Sequence, residues 1–200
     1  MTLLPLPRVL IVDDRRDNLL ALEALMQGLA VEPVTVASGA DALKRLLAED
    51  YALLLLDAHM PGMDGFETAG HIKQRERTRN IPIIFLTAAD YDAHLAFRGY
   101  EVGAVDYITR PFDPWMLRAK VSVFADLWRT TAELAAQVEA ARALEAEVSA
   151  LRSAVDDALT ALYRMPTGES GEMPGEAETA LAQACTRLEE VRQSPRTGVG

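Results

Sequence analysis

Three acidic side chains stand at the ends of apolar runs, where their chemistry cannot be that of ordinary solvated surface. Asp13 and Asp14 close the run Val9, Leu10, Ile11, Val12, and Asp57 closes Leu53, Leu54, Leu55, Leu56. Thr87 follows a third run, Ile83, Ile84, Phe85, Leu86, and Arg110 follows Val105, Asp106, Tyr107, Ile108. Three carboxylates brought within ~4–6 Å repel one another and resist full ionisation. A hard divalent cation relieves that repulsion, and an all-oxygen ligand set suits Mg²⁺. Such a metal neutralises charge on an incoming phosphoryl group. A carboxylate it does not fully occupy can act as a nucleophile and become an acyl phosphate. Thr87 offers a hydroxyl to one phosphoryl oxygen and Arg110 a cation to another.

For these groups to meet, the apolar runs must be neighbouring strands. Residues 9–12, 34–36, 53–56, 83–86 and 105–108 read as short, nearly continuous apolar strands. Between them, residues 18–29, 41–48, 67–77 and 91–102 read as helices, and Pro114 suits the first turn of a last one. Apolar strands alternating with helices imply a parallel sheet covered on both faces, and right-handed crossovers make it doubly wound. The expected fold class is α/β, a (βα)5 five-stranded sheet of flavodoxin-like type. Ligands of such sheets bind beyond the carboxyl ends of the strands, where strand order reverses. Strands one and three would bring Asp13, Asp14 and Asp57 together there.

The remaining composition narrows the function. Among 200 residues, 30 acidic against 20 basic side chains give a net charge of −10, which disfavours duplex DNA as the main partner. Short basic patches stand at Arg15 and Arg16 and between Lys73 and Arg79. Cys185 is the single cysteine, so no intrachain disulfide forms, as in a reducing cytosol. Residues 1–8 are too short for a signal peptide, and no stretch approaches the roughly 20 apolar residues of a membrane span. A cytoplasmic protein without nucleic-acid or membrane partners is expected. The run Gly62, Met63, Asp64, Gly65 is no phosphate-cradling loop, because no lysine-serine or lysine-threonine pair follows it.

Between Pro114 and Pro166 nothing breaks a helix. Stepping by four and three from Val123 meets Leu127, Thr130, Leu134, Gln137, Ala141, Leu144, Val148, Leu151, Val155, Ala158 and Leu162, so ten of twelve positions are apolar. That is a heptad seam, and it predicts a dimeric coiled coil. Thr130 and Gln137 weaken it but can set register. With Leu127 and Leu134 at a positions, Glu147 and Arg152 face each other across a parallel dimer. The competing reading is a lone helix folded back on the first domain. Residues 166–175 read as a linker, 176–193 as a short amphipathic helix using Leu181, Ala184, Leu188 and Val191, and 194–200 as a disordered tail. The expected organisation is 1–125, 126–165 as the coiled-coil helix, and 166–200.

The blocks VLIVDD at 9–14, LDAHMPGMDG at 56–65, IIFLTA at 83–88 and GAVDYITRPF at 103–112 resemble the receiver domain of two-component response regulators. The resemblance covers about 120 of the 200 residues. It implies that Asp57 accepts a phosphoryl group from a sensor histidine kinase. It also implies that Asp14 and Asp57 bind Mg²⁺ directly, with Asp13 acting largely through water and the backbone carbonyl of His59 completing the protein ligands. By the same resemblance, Thr87 moves toward the phosphoryl group and Tyr107 swings inward behind it, which couples the site to the surface of helix 91–102, the fifth strand and the helix from Pro114. The side chain of His59 tunes the life of the phosphate, Gly65 fits a tight loop, and Pro111 is a cis-proline. One position departs: the family has Lys where this chain has Arg110, and Arg is larger, stiffer and always charged.

The function expected is a phosphoacceptor switch, not an enzyme with substrate turnover, whose output runs through a homodimeric coiled coil to an unknown partner protein. The alternative is a constitutive adaptor whose receiver is degenerate at Arg110. Blander roles are expected elsewhere. Asp13 and Asp14 alone would suit a helix cap. His71 and His94 read as surface residues, Trp115 and Trp128 as packing at the base of the long helix, and Cys185 as a small apolar filler.

Overall fold

The computed structural model describes residues 5–87 and 103–163, together with Gly175, Thr179, Ala182, Gln183, Cys185 and Thr186. The expected helix at 91–102, with His94, and the linker residues 166–174 lie outside the described residues, as do Leu181, Ala184, Leu188, Val191 and the tail. The six isolated positions near the C-terminus are helical and exposed. Cys185 is thus a solvent-facing thiol, not the apolar filler expected.

The element order is β1 (Arg8–Val12), α1 (Arg16–Met26), β2 (Glu32–Val36), α2 (Gly39–Ala48), β3 (Leu53–Asp57), α3 (Gly65–Gln74), β4 (Ile83–Thr87), β5 (Asp106–Thr109) and α4 (Pro114–Tyr163). All strand pairs are parallel, in the order β2-β1-β3-β4-β5. This is the expected α/β sheet, and its order reverses between β1 and β3.

Alternation along the strands sorts the core into two layers. Leu10, Val12, Leu54, Leu56 and Phe85 pack with Leu46 of α2 and Phe66 and Ile72 of α3. Val9, Ile11, Leu53, Leu55, Ile84 and Leu86 pack with Leu22 and Met26 of α1 and Leu117, Val121 and Ala125 of α4. Both faces are covered, which is why these strands read as unbroken apolar runs instead of alternating ones.

Local chemistry sets where the helices begin and end. Ser38 accepts from the amide of Asp41 and starts α2 two residues before the expected 41. Asp64 accepts from the amide of Glu67 and starts α3 at Gly65 instead of 67. Helix α1 stops at Met26, short of the expected 29, because the following turn uses Gly28 at φ +76°, where only glycine is at ease. The guanidinium of Arg118 on α4 donates to the carbonyls of Leu25 and Gln27, and that of Arg129 to Ala30, so α4 is lashed to the end of α1.

Chain contacts divide the molecule into two units between Ala132 and Glu133, and α4 contributes to both. In the first unit α4 buries Leu117, Val121 and Ala125, one per turn. Trp115 lies on the opposite side and is 77% exposed, so it does not pack at the helix base as expected; Trp128 is half-buried. In the second unit Leu134, Ala141, Leu144, Val148 and Val155 are exposed, Leu151 is half-buried, and Ala154 beside the seam is fully buried. Leu162 is helical, and its side chain lies outside the described residues.

Candidate functional site

The rim beyond the carboxyl ends of the strands is assembled by register. Val12 pairs with Leu56 across β1 and β3, so the next residues, Asp13 and Asp57, leave the sheet side by side. Asp57 pairs with Leu86, so Thr87 sits one step further on β4, and Thr87 pairs with Thr109, so Arg110 follows on β5. Backbone bonds extend each ladder to the rim: Asp13 N–H to the carbonyl of Val36, Ala58 N–H to Leu86, and Arg110 N–H to Thr87. One carboxylate oxygen from each of Asp13, Asp14 and Asp57 lies within 4.8 Å of the others. Asp13 is fully buried, Asp57 nearly so, and Asp14 is exposed. The peptide before Pro111 is cis, as expected.

Gly65 closes the loop under the site. Its amide donates to the carbonyl of Ala58, and a Cβ at this position would stand 2.2 Å from the carbonyl oxygen of Asp57. Only a residue without a side chain lets α3 start so near the phosphoacceptor candidate.

One cation and two amide donors reach the carboxylates of the pocket. Arg110 donates from Nη2 to Oδ2 of Asp13 at 2.7 Å and from Nη1 to Oδ1 of Asp57 at 3.4 Å. Nδ2 of Asn18 donates to both oxygens of Asp13 at 3.0 Å, and the amide of Arg15 donates to Oδ1 at 2.9 Å. The buried Asp13 side chain therefore accepts four hydrogen bonds, as a buried polar group must. It does not cap α1, whose cap residue Arg15 makes no side-chain bond. Burial, with the nearby charge of Asp13, pushes the Asp57 carboxyl up to about 6 from its ordinary 3.8, although Arg110 pulls it down. The negative charge of Asp14 adds to the rise, and His59, an exposed loop residue, opposes it.

The donors that converge are carboxylate oxygens, with one exposed acid open to solvent. That set fits a hard divalent cation such as Mg²⁺ and not a soft one.

The sequence reading missed Asn18. The signal was there, an amide side chain in the first turn of the helix that follows Asp13, but only the folded turn brings it back onto that carboxylate. Tyr107 is half-buried, and its ring lies 5.1 Å from Phe85 and 6.5 Å from Phe66, so the residue belongs to an aromatic stack beneath the rim. His71 is a surface residue of α3 beside Glu67, as expected.

Residues 9–122 match the family model described as the response regulator receiver domain. The chain is 39% identical over 114 residues to the response regulator PleD of Caulobacter vibrioides, covering 57% of this chain and 25% of that protein. It is 32% identical over 114 residues to the alkaline phosphatase synthesis transcriptional regulatory protein PhoP of Bacillus subtilis, covering 57% and 46%. The solved structure of a putative response regulator from Chloroflexus aurantiacus superposes with a TM-score of 0.55 at 33% identity, over 60% of this chain and 98% of that one. The chain thus spans a quarter to a half of the length of these curated relatives.

Proposed function

Because this chain belongs to the response regulator receiver domain family, we propose that it is a phosphorylated switch of a two-component system, with Asp57 as the phosphoacceptor. The observation that carries this reading is the meeting of three carboxylates and one guanidinium at the sheet's switch point. In the proposed step an Asp57 oxygen attacks phosphorus of a phosphohistidine on a sensor kinase. The new P–O bond forms as the P–N bond breaks, and the imidazole leaves with the electron pair. Asp14 and Asp57 would hold Mg²⁺ directly, with Asp13 through water and the His59 carbonyl as the further ligand. When bound, the metal offsets the negative charge that otherwise keeps phosphate away. Thr87 and Arg110 take phosphoryl oxygens, and Tyr107 reports the change through its aromatic stack.

Residues 1–125 would be the receiver, 126–165 a parallel homodimeric coiled coil continuing its last helix, and 166–200 the tail, acting in the cytoplasm on an output protein. The exposed seam residues Leu127, Leu134, Ala141, Leu144, Val148 and Val155 support association with a second copy. The chain would catalyse no substrate turnover beyond its own phosphorylation and dephosphorylation.

A specific observation favours a second reading. Arg110 engages Asp13 and Asp57 together, which suits a receiver locked as a constitutive adaptor. Acetyl phosphate with Mg²⁺ separates the two by intact-mass measurement. One phosphate on wild type and none on Asp57→Asn supports the switch. An unmodified wild type beside a phosphorylated Arg110→Lys variant shows a degenerate site, as the adaptor reading requires.

A further inference from the structure

Most of α4 beyond Ala132 is open to water, but one stripe of it is not. Leu151 and Ala158 are half-buried and Ala154 is fully buried, while Arg152, Ser153, Val155, Asp156 and Asp157 between them are exposed. The three covered positions follow one another at steps of three and four, which is one side of a helix. Side chains of a lone helix do not close completely over a methyl group. A single chain buries Ala154 in full, so another part of the same chain must lie against this side. The cover also has an end, because Leu144, two turns before Leu151, is 61% exposed and Glu147 is exposed as well.

The unit that contains Ala154 consists of Glu133–Gly200 with Met1 and Thr2. Leu151 and Ala158 stand about 10 Å apart along the helix axis, and two residues such as Met1 and Thr2 reach about 7 Å even when fully extended. That leaves 164–200 as the source of the cover. Within this stretch Gly175, Thr179, Ala182, Gln183 and Thr186 are helical and exposed. The hydroxyls of Thr179 and Thr186 donate to the carbonyls of Gly175 and Ala182, one turn back. These five positions share one side of a helix. By the same period, sequence positions Leu181, Ala184, Leu188 and Val191 fall on the other side.

We propose that residues 176–193 turn back and pack as an antiparallel helix on the Leu151, Ala154 and Ala158 side of α4, closing its end into a helical hairpin. Length, spacing and size all support this occupant. A helix over 176–193 measures ~27 Å, and the same length counted back from Tyr163 reaches about residue 146. The cover ends there, between Leu144 and Leu151. Read in opposite directions, the two stripes have matching steps, so Leu151 meets Leu188, Ala154 meets Ala184 and Ala158 meets Leu181. Alanine against alanine at the centre suits the closer end of the ~8–10 Å range of helix separations. Pro166, Gly168, Gly171 and Pro174 break the helix between the two arms and allow the reversal. The hairpin occupies Leu151 and Ala158, two positions of the heptad seam. A second copy is then left with the seam from Leu127 to Val148, and this consequence alone rests on the homodimer reading.

Pulsed dipolar spectroscopy on the full chain tests the hairpin. Cys185, the single cysteine and exposed, takes one nitroxide label, and the exposed Ser153 takes the other through Ser153→Cys. Dilution into an excess of unlabelled Cys185→Ser protein leaves only distances within one chain. One narrow population below about 30 Å is expected, since the helices would lie ~8–10 Å apart. Adding Leu188→Lys should release the segment, and the narrow population should be lost. A broad distribution in the labelled protein overturns the proposal. So does a narrow one that vanishes on dilution, because the segment then sits on the second copy, and so does a narrow one that Leu188→Lys leaves unchanged. Sedimentation of the same samples separates this from the homodimer reading. A monomer with the narrow population ends only the homodimer, and a dimer with a broad one ends only the hairpin.

Discussion

The sheet core and the distal part of α4 use the same side chain in opposite ways. Leu53, Leu54, Leu55 and Leu56 are each fully buried, whereas Leu134 and Leu144 are 60% and 61% exposed. Leucine stabilises in proportion to the apolar area taken from water, so only the first set contributes to the folded monomer. Under the proposed dimer, the second set contributes on association, which depends on concentration. One region stabilises the molecule by itself, and under that proposal the other would make its stability a property of two molecules.

The contrast can be broken most strongly in the core. Leu55→Ala should destabilise by about 2–5 kcal/mol, independently of protein concentration, in urea titrations. An effect below about 1 kcal/mol would mean that the second core layer is looser than its full burial indicates. Comparable in size is Gly65→Ala, because a Cβ must push against the backbone of Asp57 and Ala58. It should lower the melting temperature and abolish phosphorylation together, and retention of both would show that the loop has room to shift.

Asp57 gives the next effect, and it has a pH signature. Its carboxyl titrates at about 6 in the fold against an ordinary 3.8, so the fold favours the protonated form. That stabilisation is fully present below pH ~4 and is lost as pH rises through about 6. In EDTA, Asp57→Asn should therefore gain on wild type by up to roughly 3 kcal/mol between about pH 4 and pH 8. A pH-independent difference would mean that Asp57 is solvated much as in the unfolded chain.

The smallest effect on the monomer is expected at the seam. Leu134→Lys with Leu144→Lys should change stability at low concentration by less than about 0.5 kcal/mol. The same pair should convert a dimer to a monomer in sedimentation or light scattering. Should the double variant keep the wild-type mass, the exposed stripe is not a dimer interface.

Much of the rim is legible in the sequence, because it follows from position in strands. In β1, β3 and β4 four apolar residues are ended by a polar one, and parallel pairing places those ends together. Asp13, Asp57 and Thr87 follow from that rule, whereas Arg110 comes after a strand that carries Asp106 and Thr109 and is placed by its position next to Thr87's strand. Helix ends are less legible, since Ser38, Asp64 and Gly28 act through single capping and turn geometries that periodicity does not contain. Trp115 misleads for a related reason: a large aromatic suggests burial, but the turn-by-turn spacing of Leu117, Val121 and Ala125 puts it on the other side of α4.

Residue order alone determined the strands, their burial on both faces and the gathering of the acids, because these depend on near-neighbour patterns and on the few topologies a parallel sheet allows. Only the tertiary structure decided which donors hold Asp13, that Arg110 reaches two carboxylates at once, and that burial pushes the Asp57 carboxyl up. Those properties come from side chains up to 97 residues apart meeting where water is largely excluded, and their strength is set by distance and burial, which no local pattern encodes.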